Sequence, residues 1–123
     1  ELMENLNNDN IFKLSENETK NLQKYFSAVY SDDACGTKTI KEFLDNDYLM
    51  DPHTATCIKA YDELREKHLK TVIYSTAEWT KFSPTVLNAL NQNNIKYSDK
   101  EALDEISSKY NAFLPQSIQD LFN

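Results

Sequence analysis

Glycine is nearly missing from this sequence: Gly36 is the single glycine among 123 residues. Average usage of about 7% would give roughly eight or nine in a chain of this length. Loops that cradle phosphate groups need two or three glycines, because their backbone N–H groups must approach the phosphate without an intervening Cβ. The count therefore excludes a Walker loop and a dinucleotide fingerprint within this chain. The scarcity of glycine also excludes Asn-Gly hairpin turns, and their absence argues against an all-β sandwich or barrel.

Basic residues, cysteines and long apolar runs are scarce as well. The net charge is −7, which argues against a nucleic acid or an anionic membrane as partner. Two cysteines, Cys35 and Cys57, are too few for a disulfide scaffold or a four-ligand zinc site, so we expect reduced thiols, a cytoplasmic location and no bound metal. No run approaches the roughly 20 apolar residues of a membrane span, and no signal peptide opens the chain.

Start signals for helices are frequent. Ser15 and Ser98 each have a glutamate three residues later, the pattern of a capping box, and Asp51-Pro52 and Ser83-Pro84 combine an N-cap residue with proline at the first helical position. Residues 1–10 have a polar, coil-like composition. With the apolar periodicity that follows each signal, the sequence predicts six helices, over residues 15–31, around 40–44, and over 52–68, 83–91, 98–110 and 115–122.

Three short segments have the composition of strands. Residues 71–75 are β-branched and nearly continuously apolar, as in a strand covered on both faces, and residues 11–14 and 95–97 are weaker candidates. Sheets of one or two strands are marginal. We therefore predict a strongly α-rich α/β fold with about six helices and one or two strands, formed by residues 1–123 as a single segment without internal linker, an incomplete piece of a larger domain. The alternative is an all-α domain whose strand segment is misassigned.

Two positions are candidates for a functional site. His53 lies in the first turn of a predicted helix, where unpaired N–H groups favour anions; it is placed either to meet an anionic substrate or as an ordinary surface histidine. His68 would lie about 22 Å away on the same helix, at 1.5 Å per residue, so the two cannot share a metal.

The second position is the carboxyl end of the predicted strand, where ligands bind in open α/β sheets. A hydroxyl of Ser75 or Thr76 can donate to a heterocyclic nitrogen, although such hydroxyls more often cap the next turn. Lys81 either steadies an anion or is an ordinary surface lysine. Trp79 is as readily a packing residue as a wall of the site.

Both positions fall in segments that resemble the threonine synthase family. Residues 48–55, Y-L-M-D-P-H-T-A, resemble the family element G-Y-x-x-D/E-P-H-T/A-A, and residues 75–82, S-T-A-E-W-T-K-F, resemble T-A-H-P-A-K-F, in the same order and at the same spacing. Residues 29–33 and the helix around Ile40 resemble the family's V-S-D-E segment and the helix after it, so the resemblance covers about residues 25–90. The chain departs from the family at Asp47, where the family has glycine, at Thr56-Cys57, and at Glu78-Trp79, which replaces His-Pro.

The resemblance implies a pyridoxal-phosphate enzyme of fold type II, a lyase of threonine biosynthesis that converts O-phospho-L-homoserine and water to L-threonine and phosphate. It places Thr76 near the pyridine nitrogen of the cofactor, and His53, Thr54 and Lys81 along the substrate site. The family's Schiff-base lysine in an F-K-D motif has no counterpart, since the nearest strings are residues 12–14 and 40–42. We therefore expect a C-terminal fragment of threonine synthase that contains no catalytic residue, binds no cofactor alone and is inactive.

Two alternatives remain open at this point: a complete acidic helical interaction module without catalysis, and a piece of a related lyase with the same cofactor. If residues 71–75 form an open strand edge, the chain should also self-associate or exchange segments with a second copy.

Overall fold

The computed structural model describes residues 2–123, and this part of the chain contains helices and no strand. Short 3-10 turns cover Trp79–Phe82 and Asp120–Phe122. The α-helices are α1 Leu2–Asp9, α2 Glu16–Leu22, α3 Asp33–Leu44, α4 Pro52–Leu64, α5 Ser83–Asn91, α6 Asp99–Tyr110 and α7 Gln116–Gln119. Within residues 2–123, no helix has the length and apolar character needed to cross a bilayer.

Helix α5 lies at the centre of the core. It packs against α3 on one side and α6 on the other, and α3 also packs against α4. Trp79 is buried in this core and also lines a cavity of about 800 Å³ together with Glu78 and Thr80. The other buried apolar side chains come from the same helices and the loop before α4: Ile40, Met50, Ala55, Val86, Leu87, Ala89, Leu90, Ala102, Leu103 and Ile106.

Three of the predicted N-caps, Ser15, Asp51 and Ser98, are confirmed. Helix α5 begins at Ser83 as predicted, but Phe82 takes the N-cap position and makes no side-chain cap hydrogen bond, so Ser83 is not the cap. Ser15 and Ser98 form complete capping boxes, and Asp51 caps α4 with proline in its first turn. The residues that directly follow α5 and α6, Gln92 and Asn111, both lie in the left-handed region, where glycine is the usual residue. Because the one glycine lies inside α3, polar side chains take these positions.

The α/β fold class is wrong, because none of the three predicted strands forms. Residues 71–75 lie outside any helix and find no strand to pair with among residues 2–123, and residues 11–14 are also unpaired. At the third segment, the Asn88 side chain donates to the Ile95 carbonyl at 3.0 Å and accepts from the Ile95 N–H at 2.9 Å. A side chain there satisfies the backbone groups that a neighbouring strand would otherwise bind.

Helix bounds also differ from the prediction. Helix α3 begins at Asp33 and has 12 residues, whereas the sequence predicted a short helix around residues 40–44. Residues 2–9 form α1 instead of coil, while Glu1 lies outside the described residues. Helix α2 ends at Leu22 instead of near residue 31, because it buries no residue against the core and a helix this short is marginal on its own. Helix α4 ends at Leu64, so His68 is not on the same helix as His53. Cys35 and Cys57 are free and half-buried.

Candidate functional site

The buried carboxylate of Asp51 is the centre of the candidate site. Only 1% of the residue is exposed, and one of its oxygens, Oδ1, accepts hydrogen bonds from the backbone N–H groups of His53 at 2.8 Å and Thr54 at 3.3 Å. Pro52 follows, with a ring whose fixed φ suits the first helical position and whose missing N–H leaves no donor to satisfy. The Asp-Pro pair thus sets both the start of α4 and the position of the two residues after it.

Thr54 connects this cap to a distant part of the chain. Its hydroxyl donates to the second oxygen of Asp51, Oδ2, and lies 3.1 Å from the hydroxyl of Ser75. A threonine hydroxyl has one hydrogen, and a carboxylate can only accept. Thr54 therefore donates to Asp51 and can only accept from Ser75, whose own single hydrogen has two acceptors in reach, Thr54 Oγ1 at 3.1 Å and the Ala77 carbonyl at 3.3 Å.

The hydrogen bonds decide the protonation state of Asp51. Burial by itself would raise the pKa of this carboxyl, but the Thr54 hydroxyl and the backbone N–H groups of His53 and Thr54 together lower the pKa below its usual value. These three donors, together with the His53 side chain, bind the charged form and outweigh the loss of water. Asp51 is therefore an anion at neutral pH, locked in place as a positioning group.

Outside this buried cluster, His53 and Lys81 both lie close to the Phe82 ring. The His53 ring centre is 4.7 Å from that of Phe82, and the Lys81 ammonium nitrogen is 5.5 Å from the same ring centre. The His53 side chain is 62% exposed, with Nδ1 at 3.3 Å from Asp51 Oδ1. An imidazole and an ammonium group at the surface can both donate to an anionic group such as a phosphate.

Thr76, the fourth predicted site residue, lies on another side of the cluster. It follows Ser75 directly and lines an open groove of about 690 Å³ together with Cys57 and Tyr61 of α4. Its hydroxyl makes no hydrogen bond with the part of the chain that is described. The structure thus brings His53, Thr54 and Lys81 around Asp51 and Phe82. Thr76 lies outside this group, one position after Ser75.

The residues present do not by themselves fit pyridoxal phosphate. Thr76 offers one hydroxyl for a ring nitrogen, but the single glycine, Gly36, lies in helix α3 without a positive φ and cannot form a phosphate loop. Asp47, which stands where the resembling family element has glycine, is in the left-handed conformation with φ 60°. Glycine adopts this backbone shape readily, and Asp tolerates it better than most other residues.

A cavity of about 520 Å³ with a mixed polar and apolar lining lies beside His53, between the first turns of α3 and α4 and the end of α5. Two atoms in residues that line it, Ser31 Oγ and Asn93 Oδ1, are buried without a hydrogen-bond partner in residues 2–123. Sequence reasoning missed this cavity and both residues. Their local signals are those of a loop serine and a helix-end asparagine, and only tertiary packing brings them together.

No protein-family model matches the chain. Its curated relatives include Threonine synthase-like 1 of Homo sapiens, 29% identical over 116 residues, which are 94% of this chain and 16% of that protein. Threonine synthase-like 1 of Mus musculus is 32% identical over 95 residues, which are 76% of this chain and 13% of that protein. The chain is thus related to threonine synthase-like proteins, and the matches span about a sixth of their length or less.

Proposed function

We propose that this chain is the C-terminal portion of a pyridoxal-phosphate-dependent threonine synthase, which converts O-phospho-L-homoserine and water to L-threonine and phosphate. The relationship to threonine synthase-like proteins supports the family part of this proposal. The reaction and the cofactor rest on the resemblance of residues 48–55 and 75–82 to the threonine synthase elements.

One observation carries the proposal: the two resembling segments meet in the fold. Thr54 and Ser75, 21 positions apart, have their hydroxyls 3.1 Å from each other, and the rings of His53 and Phe82 are in contact at 4.7 Å. A chance match of two short strings carries no reason for the strings to be neighbours in space. Segments that build one site must be neighbours.

Within the proposal each site residue has a distinct role. His53 and Lys81 donate to the phosphate of the substrate, because both are exposed and both lie close to the Phe82 ring. Thr54 holds residues 75–76 in place through Ser75, and Thr76 supplies a neutral hydroxyl to the cofactor's ring nitrogen. The Schiff-base lysine and the phosphate loop come from another part of the protein, so the 123-residue chain has no activity of its own.

The test begins with the coding sequence upstream of Glu1. An open frame that encodes a lysine in an F-K-D motif and a glycine-rich loop supports the enzyme. The encoded protein should then release phosphate from O-phosphohomoserine, and His53→Ala should raise the KM for that substrate while Lys13→Ala leaves it unchanged. A stop codon before Glu1, or an encoded protein that binds the cofactor without releasing phosphate, would refute the proposal.

Pyridoxal phosphate added to the 123-residue chain gives a second test. We expect no specific aldimine absorbance, because the residues that would hold the cofactor's phosphate are absent from this chain. A stoichiometric adduct trapped by borohydride at one lysine would contradict the proposal that the Schiff-base lysine lies elsewhere.

A second candidate function is an acidic helical interaction module without catalysis. The observation that favours it is a helical core formed by α3 to α6, together with exposed aromatic side chains at Tyr25, Phe26 and Tyr30. The upstream coding sequence separates the two candidates, since a natural start at this point favours the module.

A further inference from the structure

Residues 70–78, called the exposed segment below, combine a free backbone with apolar side chains at the surface. The backbone groups of residues 70–76 form no hydrogen bond with another backbone group in residues 2–123. Val72 is 73% exposed and Tyr74 is 78% exposed. A stretch without glycine or proline, rich in β-branched residues and with unpaired N–H and C=O groups, is a template for pairing with another chain.

The charges at the two ends of the exposed segment are complementary to those of a second copy of the same segment in antiparallel orientation. Residues 71–77 carry no charge, while Lys70 and Glu78 both lie four positions from Tyr74 and both are exposed. If two copies of the segment pair antiparallel around Tyr74, each Lys70 lies opposite Glu78 of the other copy. Parallel pairing would instead place lysine opposite lysine and glutamate opposite glutamate, which is destabilising.

We propose that the exposed segment pairs antiparallel with the same segment of a second copy, in the register centred on Tyr74, and forms a symmetric dimer. The pairing satisfies the free backbone groups and covers Val72 and Tyr74. The open groove of about 690 Å³ beside the segment, lined by Leu64 and Leu69, gives further apolar surface for the second copy. Each copy has a net charge of −7, so an uncharged stretch with complementary ends is a surface where two copies approach with least repulsion.

The test is sedimentation of the 123-residue chain and of four charge variants at low salt. K70E and E78K each convert both attractive pairs of the dimer into repulsive pairs, so each should dimerise about tenfold more weakly. The double variant K70E/E78K exchanges the signs and should return to the native affinity. An equimolar mixture of K70E with E78K should form a mixed dimer, because all its opposing charges are again of opposite sign. K13E changes the net charge as much as K70E at a distant exposed residue, and should cause a much smaller change.

The backbone contribution is tested with Tyr74→Pro, which removes the central N–H from an exposed residue and should abolish the dimer. Circular dichroism of each variant checks that the helices persist, and if the proline variant unfolds the charge variants still decide the question. A chain that stays monomeric at millimolar concentration overturns the proposal. So do K70E and E78K variants that dimerise as tightly as K13E, or a double variant that does not recover.

Discussion

Helices α2 and α6 start in the same way and then differ. In α2 the Ser15 N–H donates to Glu18 at 2.8 Å and the Glu18 N–H donates to Ser15 Oγ at 3.3 Å. In α6 the corresponding distances between Ser98 and Glu101 are 2.9 Å and 3.3 Å. The Ser15 side chain and backbone lower the pKa of Glu18, and the Ser98 backbone and side chain lower the pKa of Glu101.

The two helices differ in their lengths and in how many residues they bury. Helix α6 continues for 12 residues and buries Ala102, Leu103 and Ile106, whereas α2 stops after 7 residues and buries none. The apolar residues that follow α2 are left at the surface, with Tyr25 83% exposed. The comparison teaches that a capping box decides where a helix begins, and that tertiary packing decides how far it continues.

The largest expected difference between the two regions comes from deleting an apolar side chain. Ile106 is fully buried and Leu22 is 45% exposed. Ile106→Ala should lower the free energy of unfolding by about 2–5 kcal/mol through lost burial and the cavity left behind. Leu22→Ala, the matched change, should cost less than about 1 kcal/mol. Urea unfolding followed by circular dichroism measures both, and equal costs would contradict the conclusion that α2 is not packed on the core.

The next largest difference in the free energy of unfolding is expected between substitutions of two aspartate N-caps, Asp51 and Asp32. Asp51 is 1% exposed and binds the Thr54 hydroxyl as well as two N–H groups, while Asp32 is exposed and accepts from the Cys35 N–H. Asp51→Ala should cost about 2–3 kcal/mol, because it removes a cap and leaves buried donors short of an acceptor. Asp32→Ala should cost about 1 kcal/mol. The same urea experiment decides, and a larger cost for Asp32 would mean that burial adds nothing to the cap.

The sequence predicted those parts of the fold that local chemistry controls. The starts of α2, α4 and α6 follow from Ser-Glu boxes and from the Asp-Pro pair, and they are found where predicted, while α5 begins at Ser83 without a side-chain cap. The predictions of three strands and of a helix over residues 15–31 were wrong for the same reason. Residues 71–75 and residues 22–30 have the right composition, but strands need partners and amphipathic helices need a surface to cover.

The candidate site, like the fold, could be predicted from the sequence only in part. The juxtaposition of His53 and Thr54 with the 75–82 segment could be expected from the resemblance, which placed both segments at one site. The cavity with Ser31 and Asn93 could not, because its atoms come from the approach of separate elements. No spacing in the sequence records such an approach.

Acid should weaken the packed region through Asp51. Burial alone would raise the pKa of Asp51, but the hydrogen bonds from Thr54 and His53 lower it in the folded state. The unfolded chain then takes up this proton more readily, so the stabilisation is complete above the ordinary pKa of about 3.9 and is lost as pH falls through the lower folded value. The free energy of unfolding should decline below about pH 4, and Asp51→Asn should flatten that decline. Parallel pH profiles for the two proteins would refute this assignment.

The smallest changes in the free energy of unfolding are expected from substitutions in the two capping boxes. Ser98→Ala should lower the free energy of global unfolding by about 1 kcal/mol, because α6 is part of the cooperative core. Ser15→Ala removes an equivalent set of hydrogen bonds but should leave global unfolding within about 0.3 kcal/mol of the original, because α2 can fray without opening the core. Its effect should appear instead in amide hydrogen exchange of residues 16–22, which should become faster. A global cost for Ser15→Ala equal to that for Ser98→Ala would mean that α2 folds together with the core despite burying none of its residues.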